Sequence, residues 1–377
     1  MNPKERIEAL LTGKQPDRTP VAAWRHFYDM EYSPELFVSA TVAFQRKFGW
    51  DFVKINPRAS YHIEGWGAQY VPSKNPLDKP QRLSFPVGLP SDWEKIEELP
   101  LGSGVLAAEL LTVSQISKKL GKSVYKFMTV FSPLSIAGDL VGTEAQLVRD
   151  MQESPLLVQE ALEEITKTFV RFSVDCLNAG ADGVFFATTE WASKNVLTEE
   201  EYRKFGRPYD LEVIEAVRGV GGKVILHVCE PNNMLSLFTD YPVDMVSWAA
   251  SDRSNPALSD GYSLFKKPVI GGIDHTSSLM LGRKEALVGS VRPILTLLKN
   301  IPAVLGPECA LPPAMPEENL LALRQLVERS GGGRKAVAGA RPVRKAAGSK
   351  KARTARLKRK VQKSASGKEV KRKKRKR

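Results

Sequence analysis

Two hydrophobic patterns alternate along this chain. Short apolar runs, rich in Val, Ile and Phe, fall at residues 21–24, 52–55, 125–131 and 183–187, and again at 223–227, 245–248, 269–273 and 303–305. Longer stretches with helical spacing lie between them, among them 144–178, 199–220, 283–299 and 316–330. Buried-strand runs alternating with helices predict β-α units and a parallel sheet. Eight such units within about 300 residues predict a (β/α)8 TIM barrel rather than an open doubly wound sheet. A short helix opens the chain. Asn2 caps it, Pro3 fits its first turn, and Ile7, Leu10 and Leu11 share one face.

The pattern stops at Gly331-Gly332-Gly333. Residues 331–377 hold 21 Lys and Arg against one acid, Glu369, a net +20, and almost no large apolar side chains. Such a segment buries too little surface to offset chain entropy, so a disordered basic tail is expected. The first 330 residues carry 35 basic and 41 acidic side chains, a net −6. The overall charge of +14 therefore belongs to the tail. The domain division is 1–330 for the folded part and 331–377 for the tail. A run of this kind is either a solvated appendage or a clamp for nucleic acid or another polyanion.

With 42% hydrophobic residues the chain can bury a large core. No apolar run approaches 18 residues, and the N-terminus lacks the apolar centre of a secretory signal. Three cysteines make no disulfide framework, and a reducing cytoplasm is the expected setting. No G-x-G-x-x-G follows a strand and no G-x-x-x-x-G-K-[ST] occurs, which disfavours nucleotide folds.

Active sites of such barrels gather where the strands end. Here those ends carry Arg25, His26, Asn56, Arg58, Ser132, Thr189, Glu190, His227, Cys229, Glu230, Asp274, His275, Glu308 and Cys309. Substrate contacts are expected from Arg25, Arg58, Ser132 and Asp274. The arginines, with Lys54, suit a carboxylate or phosphate, though each is equally suited to an ion pair between loops. His227 and Cys229 stand two apart on an extended segment, so both point the same way. Alone, that H-x-C pair reads first as a buried thiol beside a core imidazole. Cys309, at the end of the last run, supplies a third soft ligand. His with two Cys is a zinc set that leaves one coordination position open, as catalytic sites do. Glu190 suits a fourth ligand, a general base or a paired rim carboxylate. Cys176, inside a helical pattern, reads as a core residue.

Several segments, in order along residues 1–330, resemble the uroporphyrinogen decarboxylase superfamily: PVAAWRHFYDMEY, GWDFVKINPRASY, FSPLSIAGDLVG, TTEWASKNVLTEEEYRKFGRPY, VIGGIDHTSSL and LGPECALPPAMPEENL. The resemblance implies a barrel running either of two chemistries. One is cofactor-free decarboxylation of uroporphyrinogen acetate arms. The other is methyl transfer from a corrinoid to a thiol held on zinc. Arg25 matches the decarboxylase arginine that grips carboxylates. Asp139, Glu190 and Glu308 stand where the decarboxylases place a tyrosine, a serine and a histidine. Extra carboxylates would repel a porphyrinogen. His227, Cys229 and Cys309 match all three zinc ligands of the methyltransferases. The resemblance thus implies a zinc-dependent methyltransferase with a corrinoid donor, a corrinoid protein as partner, and a small thiol acceptor. Catalytic roles are expected of Glu190, Arg25 and Asp139. The competing expectations are uroporphyrinogen decarboxylase, and a nucleic-acid-associated protein acting through its tail.

Overall fold

Asn2 opens the first helix, Pro3–Leu11, with a reciprocal cap. Its side chain accepts from Glu5 N at 2.9 Å, and Glu5 returns a carboxylate to Asn2 N. The structure, a computed structural model, describes residues 1–331. The expected disordered, polyanion-binding tail lies outside the described residues beyond that point.

The strands are β1 (Phe52–Ile55), β2 (Tyr70–Val71), β3 (Gln81–Arg82), β4 (Tyr125–Phe131), β5 (Gly183–Thr188), β6 (Lys223–Val228), β7 (Met245–Trp248), β8 (Val269–Ile273) and β9 (Ala303–Pro307). β2 and β3 form a small antiparallel hairpin. The other seven make one curled sheet in the order β1-β4-β5-β6-β7-β8-β9, every pair parallel. Helices separate these strands, as parallel pairing requires.

The expected strand at 21–24 is not a ladder strand. It makes an isolated bridge from Val21 to Leu305, and Arg25 bridges Leu311. The Asp51 carboxylate takes the Val21 N–H at 2.7 Å, so that N–H is not free for a ladder bond toward β1. The segment still touches both edges of the sheet. Ala22 N donates to Leu305 O at 3.0 Å beside β9, and Asp51 N donates to Val21 O at 2.8 Å beside β1. Asp51 is fully buried and also holds Arg6 and Arg18, each at 2.6 Å.

Two expected helices are each broken in two. Residues 144–178 become Glu144–Glu153 and Pro155–Asn178, and 199–220 become Glu199–Phe205 and Arg207–Gly219. Pro155 disfavours helical backbone at Ser154, and at the second break Pro208 has no N–H to continue the helical ladder.

The core divides by strand alternation. Phe52, Phe127, Phe185, Ile225, Met245, Ile270 and Val304 fill the inside of the curl, with Ile7 and Leu10 of the first helix packed among them. Their strand neighbours, such as Val53, Met128, Val184, Leu226 and Val246, face the helices. Positions two residues further along the inward rows, Lys54, His227 and Ser247, therefore continue the inward face beyond the apolar layer. Among the described residues no helix is long and apolar enough to cross a membrane.

Candidate metal centre

His227 ends an inward row on β6, and Cys229 follows it just past the strand. Glu230 then turns the chain with a left-handed φ of 67°, rare for a residue with a side chain. Asn255 braces that turn: its Nδ2 donates to Glu230 O and Ala249 O, both at 2.9 Å, and its Oδ1 accepts from Asn233 N at 3.0 Å. Cys309 arrives from the end of β9. One ligand atom from each of His227, Cys229 and Cys309 lies within 4.8 Å of the others.

These residues fit a soft metal ion. Two sulfurs and an imidazole converge, and the imidazole is already oriented. His227 Nδ1 lies 3.1 Å from the Ser247 hydroxyl, so Nε2 is the ring atom available to a ligand. The hydrogen bond from Cys229 draws Cys309 well below the usual thiol range, and His227 adds to this. The same bond, with burial, pushes Cys229 well up. The pair thus favours one thiolate, the form that binds metal.

The other expected site residues fare differently. Lys54 is enclosed, donates to Asn56 Oδ1, and sits 4.6 Å from the Phe185 ring centroid. Burial pushes it down to about 7, against the pull of Cys309 and Cys229. Glu190 begins the turn Glu190–Ala192 after β5, and burial raises its carboxyl, with Asp139 adding to the shift. Asp139 comes from the helix Pro133–Leu140, which approaches that turn closely because residue 138 is glycine. A Cβ there would lie 2.0 Å from Trp191 Nε1.

Arg25 donates to Pro313 O at 3.0 Å and stands over the Phe27 and Phe44 rings, while its Nε has no partner. Arg58 is bound to Glu64 at 2.6 Å and Glu109 at 3.0 Å, so its charge is spent within the fold. Ser132 is fully buried and caps the helix Pro133–Leu140 by accepting from Ser135 N at 3.1 Å. Asp274 accepts from Thr276 N at 2.9 Å and Thr276 Oγ1 at 2.7 Å. Glu308 accepts from Ser251 N and Oγ at 2.9 and 2.8 Å, tying the loop after β7 to the end of β9. Cys176 is fully buried, as its helical setting predicts.

Sequence reading missed two partners. Ser247 looks like an ordinary strand serine, and only the β6–β7 register shows it opposite His227. His62 is buried and meets Asp139 Oδ2 at 2.7 Å through Nε2, with Nδ1 unpartnered. Its segment ends no strand, so position gave no signal.

A cleft of about 520 Å³ opens beside Cys309. Tyr28, Tyr32 and Tyr70 wall it, with Glu31, Lys79 and His275 among the polar groups.

Fold and site together define a class: an α/β protein whose reactive side chains gather where its parallel strands end. Residues 2–330 match the family described as uroporphyrinogen decarboxylase (URO-D), and the chain belongs to that family. Among its relatives is the methylcobamide:CoM methyltransferase MtbA of Methanosarcina acetivorans, 21% identical over 332 residues, covering 84% of this chain and 95% of the relative. The methylcobamide:CoM methyltransferase MtaA of Methanosarcina barkeri is 22% identical over 346 residues, covering 85% and 96%. Among solved structures, a methyltransferase from Methanosarcina mazei superposes with a TM-score of 0.73 at 21% identity, covering 87% of this chain and 99% of that one. At that identity the likeness speaks for the fold alone.

Proposed function

We propose that this chain is a zinc-dependent methyltransferase that moves a methyl group from a corrinoid, presented by a partner protein, to a small thiol. The observation that carries this reading is the convergence of His227, Cys229 and Cys309 within 4.8 Å beside an open cleft. The names of the relatives point the same way. The sheet, with residues 20–25 linking its two edges, is read as the (β/α)8 barrel of this enzyme class.

Bound by these three residues, zinc would hold an incoming thiol as thiolate at neutral pH. The protein's own groups then do the rest. Ser247 fixes the His227 ring. The braced turn at Glu230 fixes Cys229. Glu190, raised by burial, is suited to receive the proton the thiol loses, with Asp139 beside it. The apolar layer below keeps the site dry. In the transfer, the acceptor sulfur would form its bond to the methyl carbon as the bond from that carbon to the donor breaks, the electron pair of the broken bond staying with the donor.

Arg58 is neutralised within the fold by Glu64 and Glu109, which argues against its gripping a polycarboxylate such as uroporphyrinogen. The test is elemental analysis of purified protein. About one zinc per chain is expected, lost in Cys229→Ala and Cys309→Ala while both stay folded, because the ligands sit on an already packed sheet. Zinc-free wild-type protein that decarboxylates uroporphyrinogen would overturn the reading.

A further inference from the structure

The cleft beside Cys309 contains polar atoms that the fold leaves unused. Glu31 is 2% exposed, and its Oε2 takes His26 Nδ1 at 3.0 Å. Its Oε1 has no partner. A buried carboxylate oxygen without a donor is costly, so such an atom at a cleft points to a donor that arrives with a ligand. His275, also on the cleft, has a buried Nδ1 without a partner. Lys79 is exposed at the same cleft and pairs with no carboxylate among the described residues.

Glu31, Lys79 and His275 line one cleft with Cys309, and Tyr28 stands on its wall. An acceptor for a cation and donors for an anion are therefore gathered in one cleft with the sulfur. Neither Arg25 nor Arg58 lines this cleft, and Arg58 is neutralised by Glu64 and Glu109.

Resting on the methyl-transfer reading, we propose that the acceptor is an amino-acid thiol, its ammonium taken by Glu31 and its carboxylate by Lys79 and His275. Both charged groups sit on one carbon of such a thiol, and the tyrosine walls accommodate the chain from that carbon to the sulfur. A thiol with only an anionic tail would leave Glu31 unpaired, and a neutral thiol would leave both ends unpaired.

The test is a binding series on the zinc-loaded full chain, read by calorimetry and by proton release. The probes are homocysteine, cysteamine, 3-mercaptopropionate, 2-mercaptoethanesulfonate and 2-mercaptoethanol. Homocysteine should bind at least about tenfold tighter than mercaptoethanol, with cysteamine between, as charge-assisted hydrogen bonds predict. Glu31→Gln should erase most of the gap between cysteamine and mercaptoethanol. Lys79→Ala, at an exposed position that folding does not depend on, should narrow the gap between homocysteine and cysteamine. Equal or tighter binding of mercaptoethanol or of the sulfonate thiol would overturn the assignment while leaving the metal site intact. Failure of every thiol to bind or release a proton would overturn the metal-site reading and this assignment with it.

Discussion

His227 meets Ser247 across the β6–β7 pair, Nδ1 to Oγ at 3.1 Å, in register opposite one another. A ligand histidine held this way offers one defined nitrogen, and the partner hydroxyl decides which.

Replacing Ser247 with alanine should therefore weaken zinc by about 10-fold or more, the usual range for the partner of a ligand histidine. Chelator competition measures it. Circular dichroism should be unchanged, since the position stays small and buried. Unaltered zinc affinity would show that the imidazole is oriented by packing alone.

Asn255 supports the other β6 ligand. Asn255→Ala leaves the carbonyls of Glu230 and Ala249 and the N–H of Asn233 without that partner. The left-handed Glu230 should then relax, and Cys229 with it. A stability loss of about 1–3 kcal/mol is expected in denaturant titration, together with weaker zinc. Loss of stability with zinc affinity intact would separate the brace from the ligand.

A third prediction concerns pH. Asp210 is fully buried, and its Oδ2 accepts from Tyr202 at 2.7 Å and Tyr241 at 3.0 Å. Burial pushes its carboxyl up to about 7. The folded state thus holds this proton more tightly than the unfolded chain does. Its contribution is fully present below the ordinary carboxyl range and is lost as pH rises through about 7. Asp210→Asn keeps an oxygen acceptor for both tyrosines and removes the titration. The variant should gain on wild type as pH rises from 5 to 8, by on the order of 2 kcal/mol at the upper end, each pKa unit being worth about 1.4 kcal/mol. Parallel stability curves for the two proteins would refute this.

Strand periodicity was legible because the seven sheet strands are short apolar runs buried on both faces, and their bounds lie within two residues of the apolar pattern. Residues 21–24 have the same composition, but a distant carboxylate, Asp51, takes the N–H that a ladder needs. Composition cannot show such a competitor. At the site, the convergence of His227, Cys229 and Cys309 was legible because they are rare residue types at strand ends. Arg58 and Ser132 looked equally apt, yet both are consumed locally, one by Glu64 and Glu109 and the other as a helix cap. Strand-end position tells where a side chain begins, not which partner claims it. His62 and Asp139 show the converse, a contact of 2.7 Å between segments that share no strand.

The three soft ligands are divided between the middle of the sheet and its final strand. A chain emerging from the ribosome presents His227 and Cys229 early, but the third grip arrives only when Cys309 has been made and β9 has docked against β8. On the proposed zinc reading, high-affinity metal capture would be a terminal event of biosynthesis. Truncated or half-wound molecules would be passed over by the ion, and the zinc content of a preparation would count the molecules that have finished folding.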